Sequence, residues 1–289
     1  MTENIRSKNR LRRTQSTVMY GVSVLFTLLI LALLALVIRY LVTIGWRSVT
    51  LDFFTKVPMP AGSQGYPGGM LSGLLGTVVL IAMSSIVGIP IGMLAGIFLA
   101  EYGAKSRLTA PVRFTADVLA GVPSIVVGIL GYELLVVPLG HYNGWAAALA
   151  LSFIMVPIVA RTTEEMLRLV PRSYREASIA LGATKALTIW KIVIPAATGS
   201  LITGIMLALA RVAGETAPLL FTALGSRLLT IDPNQPFPSL TKQIYDYATG
   251  PYERQKQIAW AGILVLISLI FVLNLAIRFV ARTRHVAAK

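Results

Sequence analysis

Long runs of apolar residues are the feature that most limits how this chain can fold. Each run has at least about 17 residues, enough for a helix to cross a hydrocarbon core about 30 Å thick. Hydrophobic residues make up 55% of the chain and charged residues 13%, about half the charged share of an ordinary soluble domain. The sequence therefore predicts an all-α membrane protein in contact with lipid. Its six predicted transmembrane helices lie at about 19–44, 70–100, 118–138, 144–160, 196–225 and 258–280.

The first run is predicted to be a retained membrane anchor. It follows a basic tail, but it is too long for the apolar core of a signal peptide. No small-residue cleavage pattern follows it at Thr43–Trp46. The second and fifth runs are longer than one crossing needs, so we expect them to tilt, kink or emerge from the membrane.

The distribution of basic residues sets the predicted orientation. Of the 26 Lys and Arg residues, 18 lie in the N-terminal tail, the 101–117 and 161–195 loops and the C-terminal end, and six lie in the alternate loops. Basic residues accumulate on the cytoplasmic side, so both termini are predicted to be cytoplasmic. The net charge of +14 follows from this topology and requires no nucleic-acid partner.

The predicted organisation has one membrane domain and two flanking parts. Residues 1–69 form a cytoplasmic tail, the first transmembrane helix and an external loop containing Pro58, Pro60 and Pro67. Residues 70–280 form the main transmembrane domain, and residues 281–289 form a cytoplasmic tail.

The composition disfavours enzymatic and metal chemistry. The chain has no cysteine, and its two histidines, His141 and His285, are far apart. It lacks the phosphate-binding loop G-x-x-x-x-G-K-[ST], the G-x-S-x-G elbow and the H-E-x-x-H motif. We therefore expect no catalytic residue, no metal and no cofactor, and transport becomes the leading class of function.

The cytoplasmic loop 161–195 is predicted to form a helical elbow. The segment RTTEEMLRLVP (161–171) continues the fourth helix out of the membrane, with i,i+4 charge pairs Arg161/Glu165 and Glu164/Arg168. Pro171 is expected to end this helix.

Two short helices are predicted to follow in the elbow. Ser173 and Glu176 match a capping box that opens a helix over about 174–181. Gly182 is expected to end that helix in a left-handed conformation. A second short helix over about 185–193 is expected to end at Pro195.

A charged pair interrupts the fifth apolar run, LARVAGETAPLLFTALG (209–225). Arg211 is predicted near the middle of the span, where a lone charge is costly, and Glu215 lies one helical turn further on. In a continuous helix, one face would carry the small and polar residues Gly204, Ala208, Arg211, Glu215, Pro218 and Thr222.

Two interpretations of this pair remain open. Arg211 and Glu215 are either a buried ion pair that fixes packing or part of an anion pathway that also includes Thr222. Arginine binds oxyanions through a planar fork of donors, and Glu215 would keep that binding weak enough for release.

Other polar and small residues within the spans receive simpler interpretations. Arg39 and Glu133 lie near the outer ends of their spans and are interpreted as interfacial residues. Gly88, Gly92 and Gly96 form a small-residue stripe typical of helix packing.

The elbow carries a family signature. REASIALG (175–182) followed by IVIP (192–195) resembles the E-A-A-x-x-x-G-x(9)-I-x-L-P pattern of ABC-importer permeases. Ser178 and Ile194 depart mildly from it. The resemblance implies the type-1 permease fold and a coupling helix that docks on a separate ATPase. The residues assigned to coupling are Glu176, Ala177, Ser178, Gly182 and Pro195.

Further segments narrow the resemblance to phosphate-importer permeases of the Pst type. They are EYGAKS (101–106), VPSIVVG (122–128), VPIVARTTEEMLRLVP (156–171) and ARVAGETAPLLFTALG (210–225). YATGPYERQKQIAW (247–260) resembles the A-type subunit rather than the C-type. This implies a bacterial inner-membrane importer of inorganic phosphate.

The resemblance also implies partners. They are a second, unlike permease subunit, two copies of an ATP-binding subunit at the cytoplasmic face and an external phosphate-binding protein. We expect the external segment 226–257 to be non-helical and to contact the binding protein through Tyr245, Tyr247 and Tyr252.

Three alternatives remain. In the first, the permease serves another oxyanion, such as sulfate or molybdate. An ion-coupled secondary transporter would use Arg211 and Glu215 as a proton relay, but it would not need the elbow. An intramembrane enzyme is disfavoured because the sequence offers no nucleophile and base in a recognisable arrangement.

Overall fold

The computed structural model describes residues 2–60, 68–103 and 106–286. Pro67 of the predicted external loop, Lys105 of the EYGAKS segment and residues 287–289 of the predicted tail lie outside the described residues. The α-helices are, in chain order, α1 Thr2–Gly45, α2 Leu51–Thr55, α3 Leu71–Ile97, α4 Thr109–Gly121, α5 Ser124–Gly131, α6 Val137–Leu139, α7 Gly144–Arg168, α8 Arg172–Ala180, α9 Lys185–Thr188, α10 Ile194–Ala213, α11 Ala217–Thr222, α12 Leu240–Thr249 and α13 Glu253–Val286. π-helical turns follow α3, α5 and α9 at Phe98–Tyr102, Tyr132–Val136 and Ile189–Val193.

The predicted all-α membrane architecture is confirmed. Five helical stretches of the described chain are long and apolar enough to cross a membrane: Gln15–Ser48, Leu71–Tyr102, Gly144–Arg168, Lys185–Ala213 and Glu253–Val272. A sixth crossing is formed if the bent pair Thr109–Gly121 and Ser124–Leu139 counts as one span. No β-strand occurs in the described ranges.

The third span differs from the prediction of one helix over about 118–138. α4 and α5 meet there at an angle of 102°. Val122, between them, is extended, with φ −67° and ψ 129°. Proline disfavours the helical conformation at the residue before it, and Pro123 therefore favours the bend at Val122.

α3 and α7 pack along the predicted glycine stripe of Gly88, Gly92 and Gly96. A Cβ on Gly92 would lie 2.7 Å from the Val159 side chain, and one on Gly96 would lie 2.5 Å from the side chain of Thr163. Neither position leaves room for a larger residue. The prediction that the stripe serves helix packing is therefore confirmed.

The two ends of α3 contact two different parts of the molecule. Near its start, Gly73 lies against Gln243 of α12. Just beyond its other end, Glu101 is ion-paired with Arg175 of α8. α3 has 27 residues and is about 40 Å long. α12 and the elbow therefore lie at opposite ends of the bundle.

α1 lies at the periphery of the bundle. The Tyr40 ring meets the Trp260 ring of α13 edge-on, with centroids 5.5 Å apart. The apolar side chains of α1 from Val18 to Ile38 are largely exposed, as expected for a spanning helix in contact with lipid. Arg39 and Glu133, the two predicted interfacial residues, are both exposed.

Candidate functional site

The elbow after α7 is a helix, a glycine turn and a second helix, as predicted. α8 ends at Ala180, and Gly182 takes the left-handed conformation with φ +85°. The Gly182 amide donates to Ile179 O at 2.9 Å, and the Ala183 amide donates to Ser178 O at 3.1 Å. A Cβ on Gly182 would meet nothing within 4 Å, so the backbone conformation alone favours glycine here.

The predicted start of the elbow helix is wrong. α8 begins at Arg172, with Pro171 before it, and no side chain caps its first turn. Proline with its fixed φ sets the helix start without a hydroxyl cap. Ser173 and Glu176 therefore form no capping box. Glu176 is exposed, and no described residue bonds its carboxylate.

The predicted end of the second short helix is also wrong. α9 passes through the π-helical turn Ile189–Val193 directly into α10, which contains Pro195 in its first turn. Proline is tolerated at the start of a helix, where its missing N–H is not needed. Residues Lys185–Ala213 thus form one helical stretch of 29 residues.

The coupling residues divide into a buried and an exposed group. The Ser178 hydroxyl is buried and lies 2.9 Å from the Thr188 hydroxyl, which joins α8 to α9. Glu176 and Ala177 are exposed on the outer side of α8. Ser178 therefore shapes the elbow, while Glu176 and Ala177 are free to contact another protein.

Exposed apolar side chains surround this outer side. Leu181 is 89% exposed, and Tyr174 and Leu187 are exposed beside it. All three line a groove of about 360 Å³ that is almost entirely apolar. Contiguous exposed apolar surface is typical of a site that contacts another protein or the membrane. Sequence reasoning missed these residues, although all three are visible in the sequence as large apolar or aromatic residues of the elbow.

A buried ion pair holds the elbow to the bundle. Arg175 donates to both oxygens of Glu101, at 2.6 to 3.2 Å, and to the backbone oxygens of Leu167 and Val170 at 2.9 and 2.8 Å. The Glu101 side chain is only 6% exposed. Arg175 therefore links α8 to the ends of both α3 and α7. The two partners are 74 residues apart, and sequence reasoning did not connect them.

A second buried carboxylate lies near this pair. Glu164 of α7 contacts Arg168 at 2.6 Å and Arg113 of α4 at 2.6 Å. Arg161 and Glu165 are 2.8 Å apart on the exposed side. Both predicted i,i+4 pairs are confirmed, and the link to α4 was not foreseen.

The fifth span ends earlier than predicted. α10 stops at Ala213, and the short α11 begins at Ala217. Gly214 has a low intrinsic helix propensity, and the ring of Pro218 would collide with its carbonyl in a continuous helix. The predicted helix over 196–225 is therefore wrong, and Arg211 lies in the last turn of the span rather than at its middle.

Arg211 and Glu215 make a loose contact at this break. Their nearest charged atoms, Nη2 and Oε1, are 3.8 Å apart. The Arg211 side chain is 59% exposed, whereas that of Glu215 is 14% exposed. The Thr241 hydroxyl of α12 donates to Glu215 O at 2.9 Å and ties the break to the next helix. The arginine head is therefore presented at the surface of this chain rather than enclosed by it.

The remaining members of the predicted polar face are buried. Gly204 packs against Thr162, whose side chain would lie 2.8 Å from an added Cβ. The Thr222 hydroxyl donates to Pro218 O at 2.8 Å, and Thr222 is fully buried. The chain break turns Thr222 away from an exposed face shared with Arg211, so Thr222 supports the packing of α11.

The segment 226–257 is not wholly non-helical, contrary to expectation. α12 occupies Leu240–Thr249 within it, and its apolar face buries Leu240, Ile244 and Tyr247. Tyr247 therefore belongs to the core, because it falls on the i, i+3, i+4, i+7 positions of an amphipathic helix. Tyr245 and Tyr252 are exposed.

The sequence has close counterparts among known permeases. Residues 88–286 match the protein family described as "Binding-protein-dependent transport system inner membrane component". The phosphate transport system permease protein PstA of Yersinia pestis is 39% identical over 286 residues, which is 99% of this chain and 96% of that protein. PstA of Haemophilus influenzae is 40% identical over 92% of this chain and 94% of that protein. PstA 1 of Mycobacterium tuberculosis (strain ATCC 25618 / H37Rv) is 39% identical over 90% and 87%.

Solved structures share the fold. The inward-facing MetNI methionine ABC transporter (CY5 native crystal form) aligns with a TM-score of 0.60 and 21% identity, over 74% of this chain and 94% of that chain. An amino acid ABC transporter crystallised with histidines aligns with a TM-score of 0.53 and 18% identity, over 74% and 91%. At these identities the likeness concerns the fold alone, and it supports the type-1 permease architecture.

Proposed function

Because the chain belongs to the PstA family of phosphate transport system permeases, we propose that it forms half of the membrane pathway of an ATP-driven importer of inorganic phosphate. It is a multi-pass protein of the bacterial inner membrane and a transport component rather than an enzyme. ATP hydrolysis belongs to a separate subunit.

One helical stretch carries this proposal. Lys185–Ala213 begins in the elbow and ends two residues after Arg211. A displacement of the elbow by a motor protein would therefore move the region around Arg211 directly, because a helix transmits motion along its axis as a rigid element. No loop separates the two regions, and this arrangement suits a pathway that opens and closes with ATP hydrolysis.

Permeases of this family act with a partner permease, ATPase subunits and a substrate-binding protein. The finer assembly is part of the proposal. It consists of this chain, an unlike permease, two ATPase copies and an external phosphate-binding protein, with both termini of this chain in the cytoplasm. The basic residues at the elbow end support that orientation.

The elbow is the proposed ATPase contact. Glu176 and Ala177 are exposed beside the apolar groove of Tyr174, Leu181 and Leu187. Ser178 and Gly182 hold the helix–turn–helix shape, and Pro195 begins the span that follows. In this arrangement the first group contacts the motor and the second keeps the elbow rigid.

Arg211 and Glu215 are the proposed pathway residues. An arginine head exposed within a membrane bundle requires a partner subunit or a water-filled cavity. Its planar donors bind an oxyanion in a bidentate manner, and the carboxylate 3.8 Å away limits how tightly that anion is held. The break at Gly214 lets this end of the span change shape without bending the rest of it. Thr222 contributes indirectly, through the buried packing of α11.

Reconstitution of the whole complex in lipid tests the proposed function. We expect labelled phosphate to accumulate only with ATP and the binding protein, and to accumulate equally when the proton gradient is collapsed. Uptake that needs the gradient but not ATP would indicate a secondary transporter. Uptake blocked by sulfate or molybdate at concentrations equal to phosphate would indicate another oxyanion as the substrate.

Reporter fusions test the orientation. A reporter after residue 289 is expected to be cytoplasmic, and one inserted within residues 235–240 is expected to be external. The excess of basic residues in the tails and in the elbow loop is the physical reason. Alkaline phosphatase and a fluorescent protein report the two sides independently, and the opposite pattern would contradict the topology.

The tyrosines of the segment 226–257 are expected to differ in their effects. Alanine at the exposed Tyr245 and Tyr252 should weaken stimulation of ATP hydrolysis by the binding protein by about tenfold, since aromatic side chains often dominate such contacts. Alanine at the buried Tyr247 should instead destabilise the chain by about 3–5 kcal/mol. Stimulation curves and thermal unfolding of the same samples separate the effects, and equal behaviour of all three would refute this division.

A further inference from the structure

A small polar cavity lies at the end of the bundle opposite the elbow. It has a volume of about 220 Å³, enough for a small ion with several waters of about 30 Å³ each. The residues that define its chemistry are Gly225, Arg227, Ser239, Lys242, Asp246 and Tyr247. They come from the loop after α11 and from α12.

The N-terminus of α12 forms one wall of the cavity. Ser239 precedes this ten-residue helix but its side chain caps no amide. Ser239 is 2% exposed, and its hydroxyl oxygen has no hydrogen-bond partner among the described residues. A buried hydroxyl without a partner is costly, and this one lies at a helix N-terminus, where the helix dipole favours an anion. The Leu240 amide already donates to the Thr77 hydroxyl at 2.8 Å, so the dipole and the side chains carry the attraction.

Two cations line the same cavity. Lys242 is in the first turn of α12, with its side chain largely buried, and its ammonium group contacts Asp246 at 2.5 Å. An ammonium group has three donors, so two remain for a ligand. Arg227 supplies a second positive charge from the facing loop. With Asp246 as the one carboxylate, the charged side chains of the cavity sum to a positive charge.

The backbone at Gly225 leaves room for the Lys242 side chain at the cavity. Gly225 has φ +82°, and a Cβ there would lie 2.8 Å from Cδ of Lys242. The Lys242 stem therefore lies over a glycine that leaves space for it. A backbone bridge between Leu224 and Phe237, with the Phe237 amide donating to Ala223 O at 3.1 Å, closes the loop that carries Arg227.

Tyr247 adds no negative charge to the cavity. Burial raises the pKa of its phenol, and the nearby Arg227 opposes this effect. The ordinary pKa of tyrosine is already about 10, so the phenol remains neutral near pH 7. The phenol can therefore form a hydrogen bond to a ligand in the cavity, and it does not compete with an anion for Lys242 and Arg227.

We propose that this cavity is a second anion site, which receives inorganic phosphate at the external end before it passes to Arg211. The inference rests on the proposed phosphate function. The helix that carries the site is also tied to the proposed pathway, because Thr241, next to Lys242, donates to the backbone oxygen of Glu215 at 2.9 Å. Lys242, Arg227 and Ser239 bind the oxyanion, and Asp246 keeps the binding weak.

Protection of Lys242 from chemical modification tests the site. The membrane complex, reconstituted in lipid without the binding protein, is treated with an amine acylating reagent in phosphate or in chloride at equal ionic strength. Acylation of Lys242 and Lys256 is then quantified by mass spectrometry. Saturating phosphate should slow acylation of Lys242 about fivefold by occupancy. Lys256, which is paired with Glu253 outside the cavity, is the control within the same chain and should be unaffected.

Two results would overturn the proposal. Equal or absent protection of the two lysines would show that phosphate does not occupy the cavity. Protection by the phosphate-free binding protein alone would show that an acidic protein segment occupies it instead. The protection of Lys242 is measured without transport. An unmodified wild-type complex that does not take up phosphate would therefore contradict the proposed function and not this site.

A variant tests the loading role. Ser239→Ala removes a hydroxyl that has no protein partner, so the change is neutral for stability if the hydroxyl has no ligand. If the hydroxyl bonds phosphate, the same change removes a hydrogen bond to a charged ligand, and uptake at limiting phosphate should fall about tenfold. The control Lys256→Gln should leave uptake unchanged. Normal uptake by an assembled Ser239→Ala complex would refute the loading role.

Discussion

Replacing Arg211 with glutamine is expected to lower phosphate uptake about 100-fold, since bonds to a charged group contribute about 1.5–3 kcal/mol each. Glutamine retains a hydrogen-bonding amide but lacks the charge and the forked donors. The complex should still assemble, because the Arg211 side chain is 59% exposed and lies 3.8 Å from Glu215. Exposed, loosely paired charges contribute little to stability. Uptake into vesicles and co-purification of the subunits measure the two effects separately.

Arg39 provides the matched control. It is also an exposed arginine on a spanning helix, but it lies on the peripheral α1, away from the proposed pathway. Arg39→Gln should change uptake by no more than about twofold, as expected for a substitution away from functional features. A loss as large as that of Arg211→Gln would show that the assay responds to any arginine within a span.

The double variant Arg211→Gln with Glu215→Gln separates the two interpretations of the pair. If Arg211 exists only to neutralise Glu215, the single variant strands a carboxylate that is 14% exposed, at a cost of up to about 3–5 kcal/mol. Removing both charges would then restore assembly and uptake. In the pathway interpretation, the double variant assembles and does not transport. Normal uptake by the double variant would reject the pathway role of Arg211.

The parts of the fold that the sequence predicted well are those that depend on local patterns. Apolar runs indicated the spans, the spacing of Gly88, Gly92 and Gly96 indicated a face for helix packing, and Gly182 indicated the elbow turn. Each depends on residues close together in the chain. Their physical cause, burial of one helix face or a left-handed backbone, acts over one or two turns.

The errors occurred where one local signal competed with another. Apolar character continues past Gly214 and Pro218, so the sequence predicted a single span that reaches residue 225. The helix nevertheless ends at Ala213. Prolines in 226–257 similarly masked the helix that begins at Leu240. Hydropathy reports which solvent a segment prefers, but backbone hydrogen bonding decides where a helix ends.

The contacts that shape the candidate sites could not be read from the sequence. Glu101 and Arg175 are 74 residues apart, and the cavity near α12 joins the predicted external loop to a helix that was not predicted. Such pairs form only after the spans have packed. A single sequence shows that charges of both signs lie at one end of the bundle, but it does not show which of them meet.

Breaking the Arg175–Glu101 pair is expected to uncouple the importer. Arg175→Gln removes the partner of a Glu101 side chain that is 6% exposed, and it frees the backbone oxygens of Leu167 and Val170. Breaking such a pair costs up to about 3–5 kcal/mol. The elbow should then move without α3 and α7. We expect basal ATP hydrolysis to persist while stimulation by the loaded binding protein, and uptake with it, falls at least about tenfold.

Two further variants test whether the effect is specific to the Arg175–Glu101 pair. Arg161→Gln removes the same charge from a pair exposed on both sides, worth about 0.2–1 kcal/mol, and should reduce stimulated hydrolysis no more than about threefold. The double variant Arg175→Gln with Glu101→Gln leaves no unpaired buried charge at this pair and should recover the stability that the single variant loses. Coupling should recover only in part, because one amide group at position 175 cannot bond the side chain at position 101 and the backbone oxygens of Leu167 and Val170 together. Full stimulation in Arg175→Gln would mean that the elbow transmits its motion without this pair, through the covalent path into α10 alone.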